Sequence, residues 1–458
     1  MQEMEKRKGG ESENFSSDME IIRRLCYNTQ NNCFLEEAML RRIQLLPGVG
    51  LTTVRSTKFK TGCFSVNFLR PLSAEEAAKN ALIPNLLLRG CEEQPNLREI
   101  SRFLEGAYGA TVGTIARKKG ETQVFGLYAD FLEDEIAGEP LLSKMAAFVG
   151  RLLFAPVTVD GGFDPESFST ELENQRNNIA SAVNDKRIYA IRQLFRIMFR
   201  GEPYATPAIG EAEDLDAITA QNLLEHYHRI LPETPVELFY MGAAEPDTVA
   251  DHFKRMLSPL KRGNLIDLPR SVNVIPGELR CISETQKLEQ SKLSMGFRLR
   301  IPSSLQELAA TQVLMTVFGA GSNSKLFLHV REEKSLCYYA SASFDKYKGV
   351  MLVNSGIDAE QYDDALNEIR RQLRLCIEGD ISDEELALAK TQLLSQMRAM
   401  LDNAYRLEEF YVGQAVAGRN ETLEDLLAAI SHTTKQEVVE AAQSIREDTV
   451  FFLKGVSS

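Results

Sequence analysis

Histidine is the side chain that most often binds a catalytic metal or moves a proton near neutral pH, and this sequence contains five: His226, His228, His252, His329 and His432. A hydrolytic zinc site needs three imidazole or carboxylate ligands and one open position. None of the five belongs to an H-E-x-x-H or H-x-x-E-H motif, in which two imidazoles share one helix face. His226 and His228 are two residues apart in a predicted helix, so both cannot reach one metal. We interpret all five as solvated or packed side chains.

The sequence also lacks the usual signatures of nucleophilic and nucleotide chemistry. It contains no G-x-S-x-G elbow, and no G-x-G-x-x-G follows a predicted strand. The glycine-rich run at 319–322 lacks the lysine of a phosphate-binding loop, which favours a helix C-cap. The acidic clusters at 133–135 and 383–385 come at predicted helix starts, where carboxylates stabilise the helix dipole. A self-sufficient hydrolase with relocated ligands therefore has only the scattered histidines in its favour.

The overall charge and the cysteines limit the partners and the compartment. Counts of 52 basic and 65 acidic residues give a net charge of −13, which repels phosphate and anionic lipid. We therefore expect no nucleic-acid and no membrane partner. The polar residues 1–18 predict a disordered tail and not a signal peptide. Seven cysteines without a C-x-x-C pair suit a reducing compartment, so we expect a cytoplasmic protein.

The elements that could position a site occur twice along the chain. A strand-like run at 63–69 leads into a long helical pattern that ends near Gly90, and a run at 293–299 leads into one that ends near Gly319, which is 229 residues later. The same elements then follow in each half: a helix, two strands, a second helix, the start of a third helix and a final strand. In the first half these are 97–105, 111–118 with 121–129, 135–153, 164–166 and 236–242. In the second half they are 324–332, 338–344 with 349–355, 359–378, 382–385 and 449–455.

This repeat predicts the fold class and the domains. Both halves are expected to form the same α+β unit, a mostly antiparallel sheet with helices packed on one face. Between them, residues 263–278 carry turn residues and little periodicity, which predicts a linker. We therefore expect a disordered polar tail at 1–18, an N-terminal domain at 19–262, this linker, and a C-terminal domain at 279–458.

One segment of the second half has a specific resemblance. The run GAGSNSKLFLHVREEKSLCYYASASF at 319–344 is similar to a segment of the insulinase/pitrilysin (inverzincin) metallopeptidase family. In that family an arginine and, seven residues on, a tyrosine hold the substrate main chain over the zinc, and the resemblance places these roles on Arg331 and Tyr338. Arginine can donate to a peptide carbonyl and tyrosine to an oxyanion. The alternative from spacing alone is a helix-capping arginine and a core tyrosine.

The first half resembles the same family but lacks its zinc-binding motif. Where the family has H-x-x-E-H shortly before a K/R-G turn, this sequence has ALIPN at 81–85 before RG at 89–90. By this resemblance Ala81 and Asn85 replace the two histidine ligands, and Pro84 replaces the glutamate that acts as the general base.

The resemblance also covers the third ligand, on the long helix that begins near residue 164. The distal glutamate ligand of the family falls at Ala182, and a supporting glutamate falls at Gln175. In addition, Pro84 removes the amide that would bond to the Asn80 carbonyl, at a cost of about 3 kcal/mol in a helix interior. We therefore predict a helix breaker at Pro84, in a metal site that has been lost.

The resemblance implies two homologous insulinase-like (mitochondrial processing peptidase-like) domains, the first with a degenerate zinc site. Inactive members of the family pair with a zinc-bearing sister subunit. We therefore expect a non-catalytic subunit of a heterodimeric zinc metallopeptidase, with no metal or other cofactor in this chain and zinc in its homologous active partner. This chain would form half of a chamber for the peptide substrate and supply Arg331 and Tyr338 in trans. The alternative is a peptide-binding or scaffold protein with no role in proteolysis.

Overall fold

The computed structural model describes residues 39–272 and 274–456 of the chain. The polar tail predicted at 1–18 and the first residues of the predicted N-terminal domain lie outside this part. Within it, two β-sheets each pack against a set of α-helices, and the two units follow one another along the chain. The predicted α+β architecture with two homologous halves is confirmed.

The first half contains eight strands and eight α-helices among its described residues. Its strands are β1 (Met39–Leu46), β2 (Val49–Arg55), β3 (Thr61–Pro71), β4 (Thr111–Lys119), β5 (Thr122–Leu132), β6 (Thr158–Val159), β7 (Gly162–Phe163) and β8 (Val236–Gly242). Its helices are α1 (Ala74–Leu87), α2 (Leu97–Glu105), α3 (Asp134–Ala137), α4 (Leu141–Phe154), α5 (Pro165–Asn184), α6 (Lys186–Met198), α7 (Ala220–Ile230) and α8 (Pro246–Met256).

The second half repeats this plan with fewer strands and one unusual helix. Its strands are β9 (Arg280–Lys287), β10 (Ser291–Arg298), β11 (Tyr339–Asp345), β12 (Val350–Ile357) and β13 (Arg446–Val456). Its α-helices are α9 (Leu305–Phe318), α10 (Tyr362–Glu378), α11 (Asp383–Arg398), α12 (Ala404–Val416), α13 (Leu423–His432) and α14 (Lys435–Gln443). Between α9 and β11, residues Leu326–Glu333 form a π-helix, in which each turn is wider than in an α-helix.

The two sheets have corresponding strand orders. The first large sheet runs β1-β2-β8-β3-β5-β4, and only the β2–β8 pair is parallel. The second runs β11-β12-β10-β13-β9, and only the β13–β9 pair is parallel. The prediction of mostly antiparallel sheets is therefore correct for both halves.

Each half's own helices cover one face of its sheet, but the other face is also occupied. Along β8, Leu238 and Tyr240 point into the core of the first half, whereas Phe239 and Met241 point to the opposite face, where α12 of the second half packs. In the same way, α6 of the first half packs against β10 and β13 of the second sheet. The sequence-based expectation of helices on a single face is thus incomplete, because each half lends one helix to the other.

A buried carboxylate fixes the exchanged helix α12 to the first sheet. Glu408 accepts hydrogen bonds from Ser65 Oγ at 2.9 Å and Asn67 Nδ2 at 3.0 Å, both on β3. It also accepts from Arg117 Nη2 on β4 at 2.7 Å. A buried carboxylate is tolerated only when it is paired in this way, so the position of α12 is specified by polar as well as apolar contacts.

Many predicted bounds differ from the structure by one to three residues, and one predicted helix is divided. The helix predicted over 135–153 is two helices, α3 and α4, because Gly138 adopts a left-handed φ of 72° that ends α3 and Pro140 follows it. Strand β11 begins at Tyr339, one residue after the predicted start. Among the described residues, no helix is both long enough and apolar enough to cross a bilayer.

Candidate functional site

Helix α1 carries the three positions that the sequence resemblance assigns to two zinc ligands, Ala81 and Asn85, and to the general base, Pro84. It begins at an N-cap, Ser73, whose hydroxyl accepts from the Glu76 amide, and its apolar residues are buried in the first core. Ala81 is 3% exposed and Pro84 is also buried, whereas Asn85 is half-buried. Methyl and pyrrolidine groups offer no lone pair to a cation, so this face of α1 contributes packing and not coordination.

Pro84 does not break the helix, contrary to the prediction. Helix α1 continues through Pro84 to Leu87, and the amide of Leu88 donates to the Pro84 carbonyl at 3.2 Å. Pro84 cannot donate to the Asn80 carbonyl, so one bond of the helix is lost, but the buried residues on both sides of it hold α1 in the first core. The loss of the metal site is therefore a matter of side-chain chemistry, with the backbone of α1 retained.

Helix α5 meets α1 through an amide and an ion pair. Gln175 Nε2 donates to the carbonyls of Ala78 at 3.1 Å and Ile209 at 2.8 Å, and Arg89 Nε donates to Glu171 Oε1 at 2.6 Å. Glu171 is the acidic residue of this region that the sequence analysis missed. In the sequence, the only feature that pointed to Glu171 was the acidic start, at 164–166, of the helix on which it lies.

The position predicted for the distal ligand, Ala182, is farther along α5. It follows Gln175 by seven residues, which is about 10 Å along an α-helix. Ala182 is half-buried and carries no donor atom. Its correspondence to the third zinc ligand stays a prediction, while the α5 side chains that bond to the α1 region are Glu171 and Gln175.

These residues do not fit a zinc ion. The predicted ligand and base positions offer one amide, Asn85, and three side chains without donors. Across residues 39–272 and 274–456, no group of three or more histidine, cysteine, aspartate or glutamate side chains is arranged to hold a metal. No catalytic step can therefore be assigned to a metal in this chain.

His226 of α7 is the histidine nearest to this region, and it has a structural role. One ring nitrogen, Nε2, is 2.8 Å from Asn80 Oδ1, and Nδ1 is 2.9 Å from Arg229 Nη2. Asn80 in turn donates to Gln123 of β5 at 2.9 Å. Burial lowers the pKa of His226 to about 4, with Arg229 adding to the shift and Glu76 opposing it. A neutral imidazole whose two nitrogens are both engaged is not available to a metal.

In the second half, the π-helix carries Arg331 near its end. The Arg331 side chain is 42% exposed, and its guanidinium lies over the Phe327 ring at 4.8 Å from the centroid. Its one carboxylate contact among the described residues is to the neighbouring Glu332, at 3.5 Å. An exposed pair of this kind contributes little to stability, so most of the guanidinium's donors remain directed to solvent.

Tyr338 lies between the π-helix and β11, on the rim of the second sheet. It is 58% exposed, and its backbone amide donates to the Gly356 carbonyl at 2.8 Å. The hydroxyl donates to Asp358 Oδ1 at 3.1 Å, and this hydrogen bond to a carboxylate raises the pKa of the phenol. The tyrosine therefore remains protonated near neutral pH and can act as a hydrogen-bond donor. It is not the core tyrosine of the alternative interpretation.

Glu368 of α10 holds the loop that joins Arg331 to Tyr338 through its ion pair with Lys334 of that loop. Glu368 is 4% exposed and binds the ammonium of Lys334, the guanidinium of Arg371 and the amide of Gln372. Burial alone would raise the pKa of Glu368, but the hydrogen bonds from these partners outweigh it and lower the pKa to about 2. The carboxylate stays charged and anchors the loop that carries both exposed donors.

Comparison with known proteins decides the family. The chain is 32% identical over 415 residues to a protein of Bacillus subtilis described as "Probable inactive metalloprotease YmfF", and the match spans 89% of this chain and 96% of that protein. The chain belongs to the M16 peptidase family. Residues 217–393 match the family model described as "Peptidase M16 inactive domain". Together with the replaced ligand positions, these matches identify an inactive metalloprotease-like M16 protein.

Solved structures agree on the architecture of this M16 protein. A crystal structure of a conserved protein from Enterococcus faecalis V583 superposes with a TM-score of 0.83 at 30% identity, over 92% of this chain and 99% of that one. The peptidase M16 inactive domain from Pseudomonas fluorescens gives a TM-score of 0.75 at 15% identity, over 92% and 99%. At 15% identity, the match to the Pseudomonas fluorescens domain shows a shared fold only.

Proposed function

We propose that this M16 protein is the non-catalytic subunit of a heterodimeric zinc metallopeptidase and that it supplies Arg331 and Tyr338 in trans to the zinc site of an active partner. The observation that carries the proposal is the contrast in exposure between the two halves. The former ligand positions are filled by packed or donor-free side chains, whereas Arg331 and Tyr338 are 42% and 58% exposed. Arg331 and Tyr338 are exposed hydrogen-bond donors at the two ends of a loop that Glu368 holds in place. This arrangement suits a ligand that comes from outside the chain.

The chemistry of the pair suits a peptide main chain. The Arg331 guanidinium can donate to a peptide carbonyl, and the protonated Tyr338 hydroxyl can donate to an oxygen that gains negative charge. The π-helix supports this role, because such wide turns occur frequently at functional sites. In this proposal the partner supplies zinc and the general base, and this chain forms the facing half of the peptide-binding chamber.

The test requires the complex. An M16 chain with an intact H-x-x-E-H motif from the same organism is mixed with this protein, complex formation is confirmed by gel filtration, and cleavage of a peptide is followed. Arg331→Ala and Tyr338→Phe are each expected to lower turnover at least tenfold, toward the 100- to 1,000-fold loss typical of an oxyanion donor.

Matched controls separate the pair from surface residues in general. Tyr108→Phe removes a hydroxyl from a tyrosine that is 59% exposed in the first half, and Arg374→Ala removes an exposed arginine from α10. Both controls should leave turnover within twofold of the unchanged complex. Unchanged turnover with Arg331→Ala and Tyr338→Phe in an intact complex would instead support a peptide-binding or scaffold protein with no role in proteolysis.

A further inference from the structure

Two equivalent hairpin turns, one from each half, meet at the boundary between the sheets. The first joins β4 to β5 and has the sequence RKKGE at 117–121, and the second joins β11 to β12 and has the sequence DKYKG at 345–349. Gly120 has a left-handed φ of 57°, and a Cβ added to it would lie 3.0 Å from Tyr347 Cβ. The turns are therefore in direct contact, and they bring four lysines into one region.

Three of these four lysines have polar partners. Lys348 pairs with Glu121 at 2.6 Å and Glu202 at 2.7 Å, and Lys119 pairs with Glu409 at 3.3 Å. Lys118 donates to the carbonyls of two residues of the first half, at 2.7 and 3.2 Å. Buried ammonium groups normally require such partners, so this part of the cluster is explained by the fold.

Lys346 differs from the other three. Its Nζ lies 5.1 Å from the centroid of the Tyr347 ring and 5.5 Å from that of Phe410, and it forms no ion pair with any carboxylate among the residues that the structure describes. Burial, with Lys119 and Arg419 nearby, lowers the pKa of Lys346 to about 8, and Asp345 and Glu409 oppose this shift only in part. A bound anion would satisfy this ammonium group and raise its pKa again.

A cavity of about 210 Å³ opens beside Lys346 between the two halves. Its walls carry four cationic side chains from separate segments: Lys119 of β4, Arg270 of the segment between the halves, Lys346, and Arg419 just after α12. No aspartate or glutamate is among its lining residues, although Glu409 lies just behind the wall at 3.3 Å from Lys119 Nζ. The rest of the wall is partly apolar and includes Ile301, Leu308 and Val416.

We infer that this cavity binds a small organic anion, a carboxylate with a short apolar group, held between the two halves by Arg270 and Lys346. Lys119, which is paired with Glu409, and Arg419, which donates to the Pro302 carbonyl, add positive charge to the wall. The cations select a negative charge, and the apolar wall selects a hydrocarbon group over a fully hydrated inorganic ion. The volume is below that of pockets for drug-sized ligands, which restricts the ligand to a few heavy atoms. The site is separate from Arg331 and Tyr338 and does not depend on their role.

Two kinds of molecule carry a carboxylate beside a short apolar group: a free short-chain carboxylic acid and the C-terminal residue of a peptide. Isothermal titration calorimetry on the full chain, with 4-methylpentanoate in one arm and N-acetyl-L-leucine in the other, distinguishes them. Both share a carboxylate and a branched apolar group, and only the second carries a peptide amide. Tighter binding of N-acetyl-L-leucine identifies a peptide end as the ligand, whereas tighter binding of 4-methylpentanoate identifies a free acid. N-acetyl-L-leucinamide, which lacks the charge, should give no binding.

Variants locate the site. Lys346→Met keeps an unbranched side chain, one heavy atom shorter, and removes the charge, and it should weaken carboxylate binding at least about tenfold. Arg270→Gln, at an exposed position that is not part of either core, should weaken binding as well and guards against a folding defect in the first variant. Lys454→Met, on the exposed side of β13, is the matched control and should bind as the unchanged protein does.

Thermal unfolding provides a second readout, because a ligand that binds only the folded protein raises its melting temperature. The carboxylate should raise the melting temperatures of the unchanged protein and of Lys454→Met. It should raise the melting temperature of Lys346→Met much less. The inference is overturned if neither carboxylate binds at millimolar concentration, if the leucinamide binds equally well, or if Lys346→Met and Arg270→Gln both bind with unchanged affinity.

Discussion

The α1–α5 region of the first half and the π-helix region of the second half have diverged in opposite directions from one repeated plan. In the first, Ala81 and Asn85 occupy the positions predicted to correspond to zinc ligands and Pro84 the position predicted for the general base, and the surrounding residues pack or bond to one another. In the second, Arg331 and Tyr338 project from a loop that Glu368 fixes from inside. The first region has become part of the core, and the second has kept polar groups at the surface.

The difference shows how a protein can lose catalysis without losing its fold. Alanine and proline at the former ligand positions leave α1 continuous and buried, so the sheet still has its helical cover. In the second half, the contacts of Arg331 with Phe327 and Glu332 and of Tyr338 with Asp358 are solvent-exposed, and such contacts contribute little to stability. Substitutions in the α1–α5 region are thus expected to affect stability, and substitutions of Arg331 or Tyr338 are expected to leave it nearly unchanged.

The largest expected effect comes from a matched pair of leucine substitutions. Leu82 of α1 is fully buried in the first core, whereas Leu328 of the π-helix is 40% exposed. Leu82→Ala should lower the free energy of unfolding by about 2–5 kcal/mol, because it leaves a cavity. Leu328→Ala should change it by less than about 0.5 kcal/mol. Urea denaturation of both variants measures the difference, and similar values for the two would remove the contrast between the regions.

A smaller effect is expected at Glu368, and it depends on pH. The pKa of its carboxyl is lowered to about 2 in the folded protein, from an ordinary value of 4.5. A lowered pKa gives stability that is fully present above about pH 4.5 and is lost as the pH falls toward 2. Glu368→Gln should therefore be destabilised by roughly 1.5–3 kcal/mol at pH 7. That deficit should shrink through the acid range in parallel urea titrations. A deficit that stays constant down to pH 2.5 would show that the charge of Glu368 does not anchor the loop.

No gain of activity is expected from restoring the zinc motif alone. The triple substitution Ala81→His, Pro84→Glu and Asn85→His still lacks a third ligand, and Ala81 is too buried to accept an imidazole without overpacking. Elemental analysis after dialysis should find no stoichiometric zinc, and peptide cleavage should show no chelator-sensitive component. One zinc per chain together with such cleavage would mean that the first region has kept more of its site than its packing indicates.

Local sequence signals predicted most elements of both halves. Helix α2 at Leu97–Glu105 and strand β8 at Val236–Gly242 match their predicted bounds, because caps and hydrophobic periods act over a few residues. Helix α11 begins at the start predicted for 382–385, where Ser382 and Glu385 form a capping box. The replaced ligand positions were also accessible from sequence, since a missing histidine is visible without a structure.

Features that depend on distant residues could not be predicted in this way. The exchange of α6 and α12 between the sheets, the pairing of Arg89 with Glu171, and the cationic cavity all join segments far apart in the chain. No periodicity or spacing encodes which surface a helix will meet. The continuity of α1 through Pro84 was missed for the same reason, because the packing of α1 in the first core, which can outweigh the cost of a proline, is not visible in the local sequence.

The exchange of helices has a consequence for the nascent chain on the ribosome. The outer face of the first sheet, with Val54, Phe239 and Met241, is covered only when α12 emerges, and its polar bond from Ser65 reaches Glu408 across 343 residues. At synthesis rates of about 5–20 residues per second, that interval is roughly 17–70 s. Helix α6, in contrast, is synthesised before the sheet that it covers. The first sheet is complete once β8 has been made, at Gly242, so its apolar outer face stays uncovered while the chain between Gly242 and α12 is synthesised.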